Sequence, residues 1–280
     1  MSEMVIEEES SKIWRVLEVS YPSVFQNLAL EEALTRSRML PTFRPIVRLW
    51  RNPPSVIVGR FQNVGAEVDV ELCEQNDIAI ARRFTGGGSV FHDMGNLNLT
   101  LVTGHPEGIT LGQLHEKNAS IILDLLARLG SEGVLVRPNS IHVGGRKISG
   151  AAATLGQRFA LWHASILIST DVLMLQRVLA PSQVIRETRS IRSNWHPVTT
   201  LAEVLHRSVD LEHVQRTLLQ SCRSALDAKL ERSELLEDEK QYSKFLHERK
   251  YASQDWNLHG NWKSEEFEGK CSEAHTTIAV

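Results

Sequence analysis

The sequence predicts an α+β fold with a mixed, mainly antiparallel sheet flanked by helices. Up to Ser169, short apolar runs bounded by turn residues are typical of strands in hairpins, with a few helical stretches between them. From Val172 onward the pattern is mostly helical. A length of 280 residues with 42% hydrophobic content is sufficient to bury one large core.

Helices are predicted where apolar residues recur at helical spacing among good helix formers. The first spans Val24 to Arg38, and Gly130, which lacks a Cβ, is placed to end a later helix in a left-handed conformation. The other predicted helices are Asp69 to Asn76, Leu114 to Leu129, Val172 to Leu179, Leu201 to Leu205, Leu211 to Lys229 and Asp238 to Glu248.

Strands are predicted at short apolar runs between turn residues. Asn52, Pro53 and Pro54 separate the first two runs and predict a hairpin there. The predicted strands are Val47 to Trp50, Ser55 to Val58, Ile78 to Phe84, Ser89 to Phe91, Leu97 to Val102, Leu135 to Arg137, Ser140 to Val143, Arg146 to Ser149 and Ala160 to Ser169.

Charge and hydropathy exclude several classes of partner. A formal net charge of -3 lacks the basic excess of proteins that bind nucleic acid or anionic membranes, so neither is expected here. No apolar run reaches membrane-spanning length. Residues 1–12 are expected to form an acidic N-terminal tail, unlike a presequence or secretory signal, and residues 263–280 a loose C-terminal tail. The protein is therefore expected to be soluble and cytoplasmic.

Metal ligation by the protein has little support in the sequence. Cys73, Cys222 and Cys271 are too widely separated to form a close metal-ligand pair or a dense disulfide framework. The eleven histidines lack carboxylate neighbours at helical spacing. No residue is assigned as a metal ligand.

The stretch from Arg82 to Asn96 is the most informative in the chain, because two arginines lead into Gly86, Gly87 and Gly88 and an apolar strand follows. Three consecutive glycines lose much backbone entropy on folding, which indicates that something approaches this backbone closely. A run of unobstructed N–H groups could cradle a phosphate, with the arginine charges at its entrance. The alternative is an ordinary tight turn.

A second glycine turn, Gly144-Gly145, leads into a short strand that carries Lys147 between small residues. A lysine on a strand is commonly just a charge on a sheet edge. Together with the triple-glycine stretch, however, Lys147 completes the set of donors and cations that could hold a nucleotide and a second anion.

Four blocks that include these segments resemble, in content and order, the lipoate-protein ligases, which are relatives of biotin protein ligase and the octanoyl transferases. The blocks are Gln26 to Ala33, Trp50 to Asn63, Arg82 to Asn96 and Gly145 to Gly150, with weaker matches at Trp162-His163, Ile191 to Leu201 and Trp256-Asn257. The resemblance covers roughly residues 13 to 258. It implies a biotin/lipoate protein ligase-like fold, related to class II synthetases, with residues 13–262 as the catalytic domain.

The resemblance implies an ATP-dependent, AMP-forming ligase. Such an enzyme would convert lipoate to lipoyl-AMP with ATP and Mg²⁺ and then transfer the lipoyl group to a lysine of a carrier domain. Expected carriers are the lipoyl domains of 2-oxoacid dehydrogenase acyltransferase subunits or the glycine cleavage H protein. The residues leave open whether octanoate is preferred to lipoate.

The resemblance also implies a role for individual residues. Lys147 is expected to be catalytic, with its ammonium between the lipoate carboxylate and the α-phosphate, where it relieves the repulsion of two anions. The expected ATP-binding residues are Arg83, Gly88, Ser89, Val90, Phe91 and Lys147. The expected lipoate-binding residues are Arg83, Gly87, Lys147 and His163.

Two other functions remain open, an ATP-independent acyltransferase between carrier proteins and a catalytically weak scaffolding relative. Octanoyl transferases form a thioester on a cysteine, which in one branch lies just upstream of the lysine strand, where this chain has Arg137 to Ser140 and no thiol. The family commonly has Asn-Asp at Asn139-Ser140, so a carboxylate near the expected cation is missing. Little sequence follows Trp256-Asn257. An archaeal-like system with a separate accessory subunit is therefore expected.

Several residues have both a functional and a structural interpretation. His92 and Asp93 could act in proton transfer, but adenylation removes no proton from an ionised carboxylate, so a structural role is favoured. Asp93 and Asn96 are expected to tie the turn by hydrogen bonds from side chain to backbone. His163 could be an interior histidine, and Trp50, Val58 and Val90 could either line an acyl channel or pack in the core.

Overall fold

A computed structural model describes residues 13–36, 43–180 and 190–262, and the predicted terminal tails lie outside these ranges. Eleven strands and eight α-helices lie within them. The strands are β1 Ile13–Leu17, β2 Ile46–Trp50, β3 Ser55–Val58, β4 Ala79–Arg82, β5 Val90–His92, β6 Asn96–Gly104, β7 Val134–Val136, β8 Ser140–Val143, β9 Arg146–Leu155, β10 Phe159–Leu167 and β11 Lys229–Arg232.

The helices pack around two sheets. They are α1 Val24–Arg36, α2 Val64–Glu67, α3 Val70–Gln75, α4 Leu111–Arg128, α5 Val172–Val178, α6 Leu201–Leu205, α7 Leu211–Leu226 and α8 Glu237–Leu246. Two π-helical turns, His247–Tyr251 and Asp255–His259, follow α8. We call residues 247–259 the C-terminal segment.

The larger sheet has the strand order β11-β1-β2-β6-β10-β9-β8-β7. Strand β1 is parallel to both β11 and β2, and every other neighbouring pair in this sheet is antiparallel. The smaller sheet has the order β4-β3-β5, with β3 parallel to β4 and antiparallel to β5. The predicted α+β class with a mixed, mainly antiparallel sheet is confirmed.

The main core lies where α4 and α7 pack on the larger sheet. Helix α4 begins with a capping box, in which the Thr110 hydroxyl accepts from the Gln113 N–H and the Gln113 side chain accepts from the Thr110 N–H. Buried Ile121, Ile122 and Leu125 face the sheet, beside Trp162 of β10. The helix ends before Gly130, whose φ of +87° confirms the predicted left-handed position.

Two predictions of secondary structure are wrong. The runs on either side of Asn52-Pro53-Pro54 do not form a hairpin, because β2 pairs with β6 in the larger sheet whereas β3 pairs with β4 and β5 in the smaller one. The helix predicted to Lys229 ends at Leu226, where Asp227 adopts a left-handed φ of +47° and the chain turns into β11. Strand β1 and helix α2 were not predicted.

No helix within the described residues is long and apolar enough to cross a membrane.

Candidate functional site

A cleft between the two sheets holds two adjoining cavities that share a wall. The first, about 240 Å³, opens between α1, the glycine stretch, the start of β9 and the middle of β10. The second, about 210 Å³, is lined largely by apolar side chains of β5, α5 and the end of β10. The residues that line both cavities are Ser89, Val90, Lys147, Gly150, Ser165, Arg192, Ser193, Asn194 and His196.

Lys147 lies at this shared wall. The turn before it places Gly144 and Gly145 at φ of +55° and +76°, conformations that favour glycine. The Lys147 N–H donates to the Pro197 carbonyl at 2.8 Å and its own carbonyl accepts from the Thr199 N–H at 2.9 Å, so its backbone is fixed on both sides. Its side chain lies over Gly150, where an added Cβ would come within 2.8 Å of Nζ.

The Lys147 ammonium has no ion pair or hydrogen bond within the described residues. Burial lowers its pKa from the ordinary lysine value, and the nearby charge of Arg83 lowers it further. A half-buried lysine that faces two cavities is a site where bound anions would be stabilised.

Arg83 shapes the glycine stretch. Its Nη2 donates to the carbonyls of Gly86 at 2.6 Å and Gly88 at 2.8 Å, and its Nε donates to the Thr85 hydroxyl at 3.1 Å. Burial lowers its pKa to about 10. Arg83 also lines the first cavity, together with Gly87.

Arg82 differs from Arg83. We expected its charge at the entrance of the glycine cradle, and that expectation is wrong. The Arg82 side chain is buried and donates to the carbonyls of Gly59, Gln62, Trp256 and Leu258. It therefore joins the loop from Gly59 to Gln62 to the C-terminal segment.

The glycine stretch approaches a second backbone loop very closely. A Cβ on Gly59 would lie 2.1 Å from the Gly87 carbonyl oxygen, so this position excludes any side chain. Gly88 lines the first cavity, and Ser89 and Val90 line both. Phe91 is buried in the core with one side on the second cavity.

His163 belongs to a buried chain of hydrogen bonds in the wall of the first cavity. Its Nε2 is 3.0 Å from the Thr85 hydroxyl, and its Nδ1 is 2.9 Å from Glu31 Oε1. The Thr100 hydroxyl donates to the same Glu31 oxygen at 2.6 Å, while Glu31 Oε2 is buried and has no hydrogen-bond partner among the described residues. Burial alone would raise the pKa of Glu31, but His163, Thr100 and Arg48 hold it below the ordinary value.

Glu31 and Ser193 are the site residues that the sequence did not reveal. Glu31 lies in the block from Gln26 to Ala33, and a charged residue on the buried, apolar face of a predicted helix was the available signal. Ser193 lies in the weakly matching block from Ile191 to Leu201, and its position depends on contacts with residues more than a hundred positions away.

Among the residues with both a functional and a structural interpretation, some line the first cavity and others only support the fold. Asp93 accepts from the N–H groups of Gly95 and Asp171, which confirms its predicted structural role. Asn96 instead donates to the Ile166 carbonyl on β10, so the prediction that its side chain ties the turn is wrong. His92 lines the first cavity, where burial lowers its pKa to about 3 and keeps the imidazole neutral near pH 7.

Trp50 lines the first cavity as well as packing in the core, where its Nε1 donates to the Thr100 hydroxyl. Val90 also lines this cavity, whereas Val58 is buried in the core.

Thiol chemistry is not supported at the cleft by the described cysteines. Burial raises the pKa of Cys73 to about 11 and that of Cys222 to about 12, and neither residue lines either of these two cavities. Ser140 lines the first cavity, next to Asn139, whose side chain donates to the Ala151 carbonyl.

The part of the chain that the structure describes contains no group of three His, Cys, Asp or Glu side chains able to hold a metal ion. The carboxylates at the cavities are engaged, since Glu31 accepts from Thr100 and Glu67 is paired with Arg192. The donors present do not fit a metal ion held by the protein alone.

Comparison with known proteins gives consistent matches. Residues 23–223 match the family model described as the lipoyl protein ligase A/B catalytic domain. The chain is 32% identical over 244 residues to lipoate-protein ligase A subunit 1 of Thermoplasma acidophilum, covering 83% of this chain and 91% of that protein.

Comparison with solved structures leads to the same family. A bi-partite lipoate protein ligase solved with its E2 lipoyl domain, from Thermoplasma acidophilum, superposes with a TM-score of 0.79 at 29% identity, covering 89% of this chain and 97% of that one. A lipoate-protein ligase A bound with ATP gives a TM-score of 0.77 at 28% identity, covering 87% and 98%. A Thermoplasma acidophilum protein with bound lipoic acid also gives 0.77 at 28%, covering 88% and 98%.

Proposed function

The chain belongs to the lipoyl protein ligase A/B catalytic domain family, and on that premise we propose that it is an ATP-dependent lipoate-protein ligase. It would convert lipoate and ATP to lipoyl-AMP and then acylate a lysine of a lipoyl carrier domain. The relatives named as lipoate-protein ligases and the related structures with ATP or lipoic acid support this assignment. Residues 13–262 would form the catalytic unit.

The position of Lys147 is the single observation that carries the proposal. Its half-buried ammonium, without a partner in the described ranges, lies at the wall that two cavities share. Two anions that must react, a carboxylate and a phosphate, would approach each other from the two sides. A fixed positive charge between them relieves their repulsion most in the transition state.

We assign the nucleotide to the second cavity and the acyl chain to the first. The second cavity has walls of Leu167, Leu175 and Leu179, with the amides of Gln176 and Asn194 available to the edge of a base. The phosphates would then pass along Gly88 to Phe91 toward Lys147. The N–H groups of this stretch would be their donors.

The lipoate side of the assignment rests on the first cavity, which is lined by Arg83, Gly87 and His163. Trp50 and Leu28 provide apolar surface for the acyl chain. Arg83 would orient the carboxylate, directly or through the glycine stretch that it holds.

The chemistry requires no nucleophile from the protein. A carboxylate oxygen of lipoate attacks the α-phosphorus, pyrophosphate leaves, and a mixed anhydride remains. The uncharged amine of the carrier lysine then attacks the carbonyl carbon, AMP leaves, and the amine proton passes to solvent. Lys147 would hold both the carboxylate and the α-phosphate in the first step.

We treat Mg²⁺ as part of the substrate, that is, as the MgATP complex. The cleft lacks a cluster of free carboxylates within the described residues, and Mg²⁺ at nucleotide sites is held largely by phosphates and water.

The decisive experiment tests for ATP dependence. The chain, with and without an accessory subunit, is incubated with lipoate, Mg²⁺ and an apo lipoyl domain, with ATP present or omitted. A parallel reaction contains an octanoylated carrier as acyl donor and no ATP. Mass spectrometry of the acceptor domain should show lipoylation only when ATP is present.

Acyl transfer from the octanoylated carrier without ATP would instead support the transferase alternative. No described cysteine lies at the cleft to favour that reaction. Failure of both reactions would support a scaffolding role.

A further inference from the structure

Residues 190–199, which we call the bridging segment, connect the two parts of the cleft. Near one end Pro197 and Thr199 hydrogen-bond to the backbone of Lys147. Near the other end the Ser193 N–H donates to Glu67 Oε2 at 3.1 Å, and Arg192 pairs with Glu67 Oε1 at 2.9 Å. The segment is thus fixed both to the lysine strand and to helix α2.

Between these anchors, the Ser193 hydroxyl reaches the glycine stretch. Its oxygen accepts from the Ser89 N–H at 2.9 Å and from Gln62 Nε2 at 3.0 Å. Gln62 in turn accepts at Oε1 from the Ser89 hydroxyl and from the Gly59 N–H, both at 2.9 Å. Gln62 therefore orients both serines.

The Ser193 hydroxyl lies where a small oxygen ligand of the glycine stretch would lie. A Cβ on Gly88 would be 2.9 Å from Ser193 Oγ, so the close approach depends on that glycine. Ser193 also lines both cavities. The backbone donor that a phosphate would use at Ser89 is therefore already occupied by a neutral oxygen of the same chain.

We propose that the Ser193 hydroxyl is a stand-in for a phosphate oxygen, and that nucleotide binding displaces it from the Ser89 N–H. This inference rests on the proposed function, because it presumes that a nucleotide phosphate binds this stretch. An anionic acceptor forms a stronger bond to an N–H than a neutral hydroxyl does, so the exchange favours the nucleotide. The hydroxyl lowers the affinity for ATP, since it must leave before the phosphate binds.

The test compares ATP binding by the wild-type chain and by Ser193→Ala, using isothermal titration calorimetry. The variant keeps the backbone anchors at Glu67 and Lys147 and loses only the competing oxygen. We expect it to bind ATP roughly three- to ten-fold more tightly, the equivalent of about one neutral hydrogen bond. Ser193→Thr retains the hydroxyl and should bind as the wild type does.

Three controls identify the exchanged group. Ser120→Ala removes an exposed hydroxyl that donates to the Lys117 carbonyl on α4, far from the cleft, and should leave ATP affinity unchanged. Adenosine, which has no phosphate, should bind equally to the wild type and to Ser193→Ala. The amide resonance of Ser89 should move in Ser193→Ala and, in the wild type, on addition of ATP.

Equal or weaker ATP binding by Ser193→Ala, with normal binding by the wild type, would overturn this inference and leave the proposed function intact. An equal gain for adenosine would also overturn it, because the gain would not come from a phosphate. If the wild-type chain with its accessory subunit binds no ATP, the proposed function and this inference are both wrong.

Discussion

The surroundings of Lys147 disfavour its protonated form. Burial and the charge of Arg83 both lower the pKa of its ammonium, while no carboxylate in the described part of the chain offsets them. Bound anions would restore the pKa, because opposite charge favours the protonated form. On the proposed function, substrate binding would therefore partly relieve this electrostatic cost on the lysine.

The first prediction concerns pH. In the proposed mechanism Lys147 acts in its protonated form, so adenylation should decline as pH rises through a pKa that lies below the ordinary value of 10.5. Lys147→Arg should be slower, yet its kcat/KM for ATP should show no such alkaline decline, because arginine stays protonated. Lys147→Ala should lose activity on the order of 100-fold or more at every pH.

Pyrophosphate release measured from neutral pH to about pH 10 tests this prediction. Circular dichroism of each variant shows whether the fold is retained. An alkaline decline that is the same in the wild type and in Lys147→Arg would show that another group titrates.

The second prediction concerns the space beneath the lysine. Gly150→Ala would place a methyl group 2.7 Å from Lys147 Cε and 2.8 Å from Nζ, so the ammonium must move out of the shared wall. We expect roughly a ten-fold loss of adenylation rate from such a displacement. The free energy of unfolding should change by less than about 1 kcal/mol, because the flexible end of the lysine gives way.

Gly112→Ala is the matched control. It lies in the first turn of α4, where the nearest atom to an added Cβ is 3.9 Å away, the Thr110 hydroxyl oxygen. The adenylation rate of Gly112→Ala should be unchanged, and its free energy of unfolding should rise by about 0.5 kcal/mol. Equal rates for the two variants would contradict the assigned position of Lys147.

At this scale the sequence revealed the residues whose type is unusual for their context. Glycine triplets and a lysine among small residues stand out in any strand-rich sequence, and Lys147, Arg83 and the glycine stretch do line one cavity. Glu31 and Ser193 did not stand out, because their roles arise from contacts such as Glu31 with His163 and Ser193 with Ser89. Such contacts between distant positions cannot be inferred from local patterns.

At the level of elements, most helices and strands followed from local periodicity, but their pairing did not. The apolar runs of β2 and β3 were predicted, whereas their separation into two sheets was not. Two consecutive prolines between them offer no N–H for a hairpin turn, and this allows the chain to cross to the other sheet. Strand β11 was missed because the helical pattern of α7 runs into it without interruption except at Asp227.

The third prediction concerns the way the C-terminal segment is held. Lys250 is only 2% exposed and donates to Glu32 Oε2 at 2.7 Å, and the Tyr251 hydroxyl donates to the same oxygen at 2.6 Å. The ammonium also lies 4.0 Å from the centre of the Trp256 ring. Glu32→Gln would leave a buried ammonium without its counter-charge and should cost about 3 kcal/mol of unfolding free energy.

Urea denaturation measures this loss. Glu237→Gln is the control, since Glu237 pairs with Lys240 on the solvent-exposed side of α8 and should contribute no more than about 1 kcal/mol. If the two variants are equally stable, the buried pair does not hold the segment.

At the scale of the whole molecule, the likeness extends over nearly the full length of the related proteins. The Thermoplasma acidophilum ligase of known structure is bi-partite, and this chain covers 97% of the matched chain. We propose on that basis that a separate accessory subunit works with this chain.

The fourth prediction follows from this arrangement. The purified chain alone should form little or no lipoyl-AMP from lipoate and ATP, and addition of the accessory subunit should restore formation of the adenylate. Thin-layer chromatography with labelled ATP detects the product. Full adenylate formation by the chain alone would contradict the prediction, and Lys147→Ala with the accessory subunit provides the blank.

The architecture as a whole was accessible from sequence because an α+β pattern and four ordered motif blocks constrain it jointly. The two cavities could not be predicted from the sequence. They form where α1, β9, β10 and the bridging segment meet, and residues from at least 28 to 196 line the first of them. The shape of such a cavity depends on how the folded helices and strands pack against one another. A short stretch of sequence does not describe that packing.

The position of β1 has a practical consequence for anyone who prepares a shortened version of this protein. The region that matches the family model, residues 23–223, omits both β1 and β11, yet β1 lies between β11 and β2 in the larger sheet. A fragment trimmed to that region would expose the unpaired edge of β2, whose five residues are all buried in the intact molecule. Exposed apolar strand edges associate with one another, so such a fragment should precipitate on expression. Useful recombinant boundaries therefore begin before Ile13 and extend beyond His259.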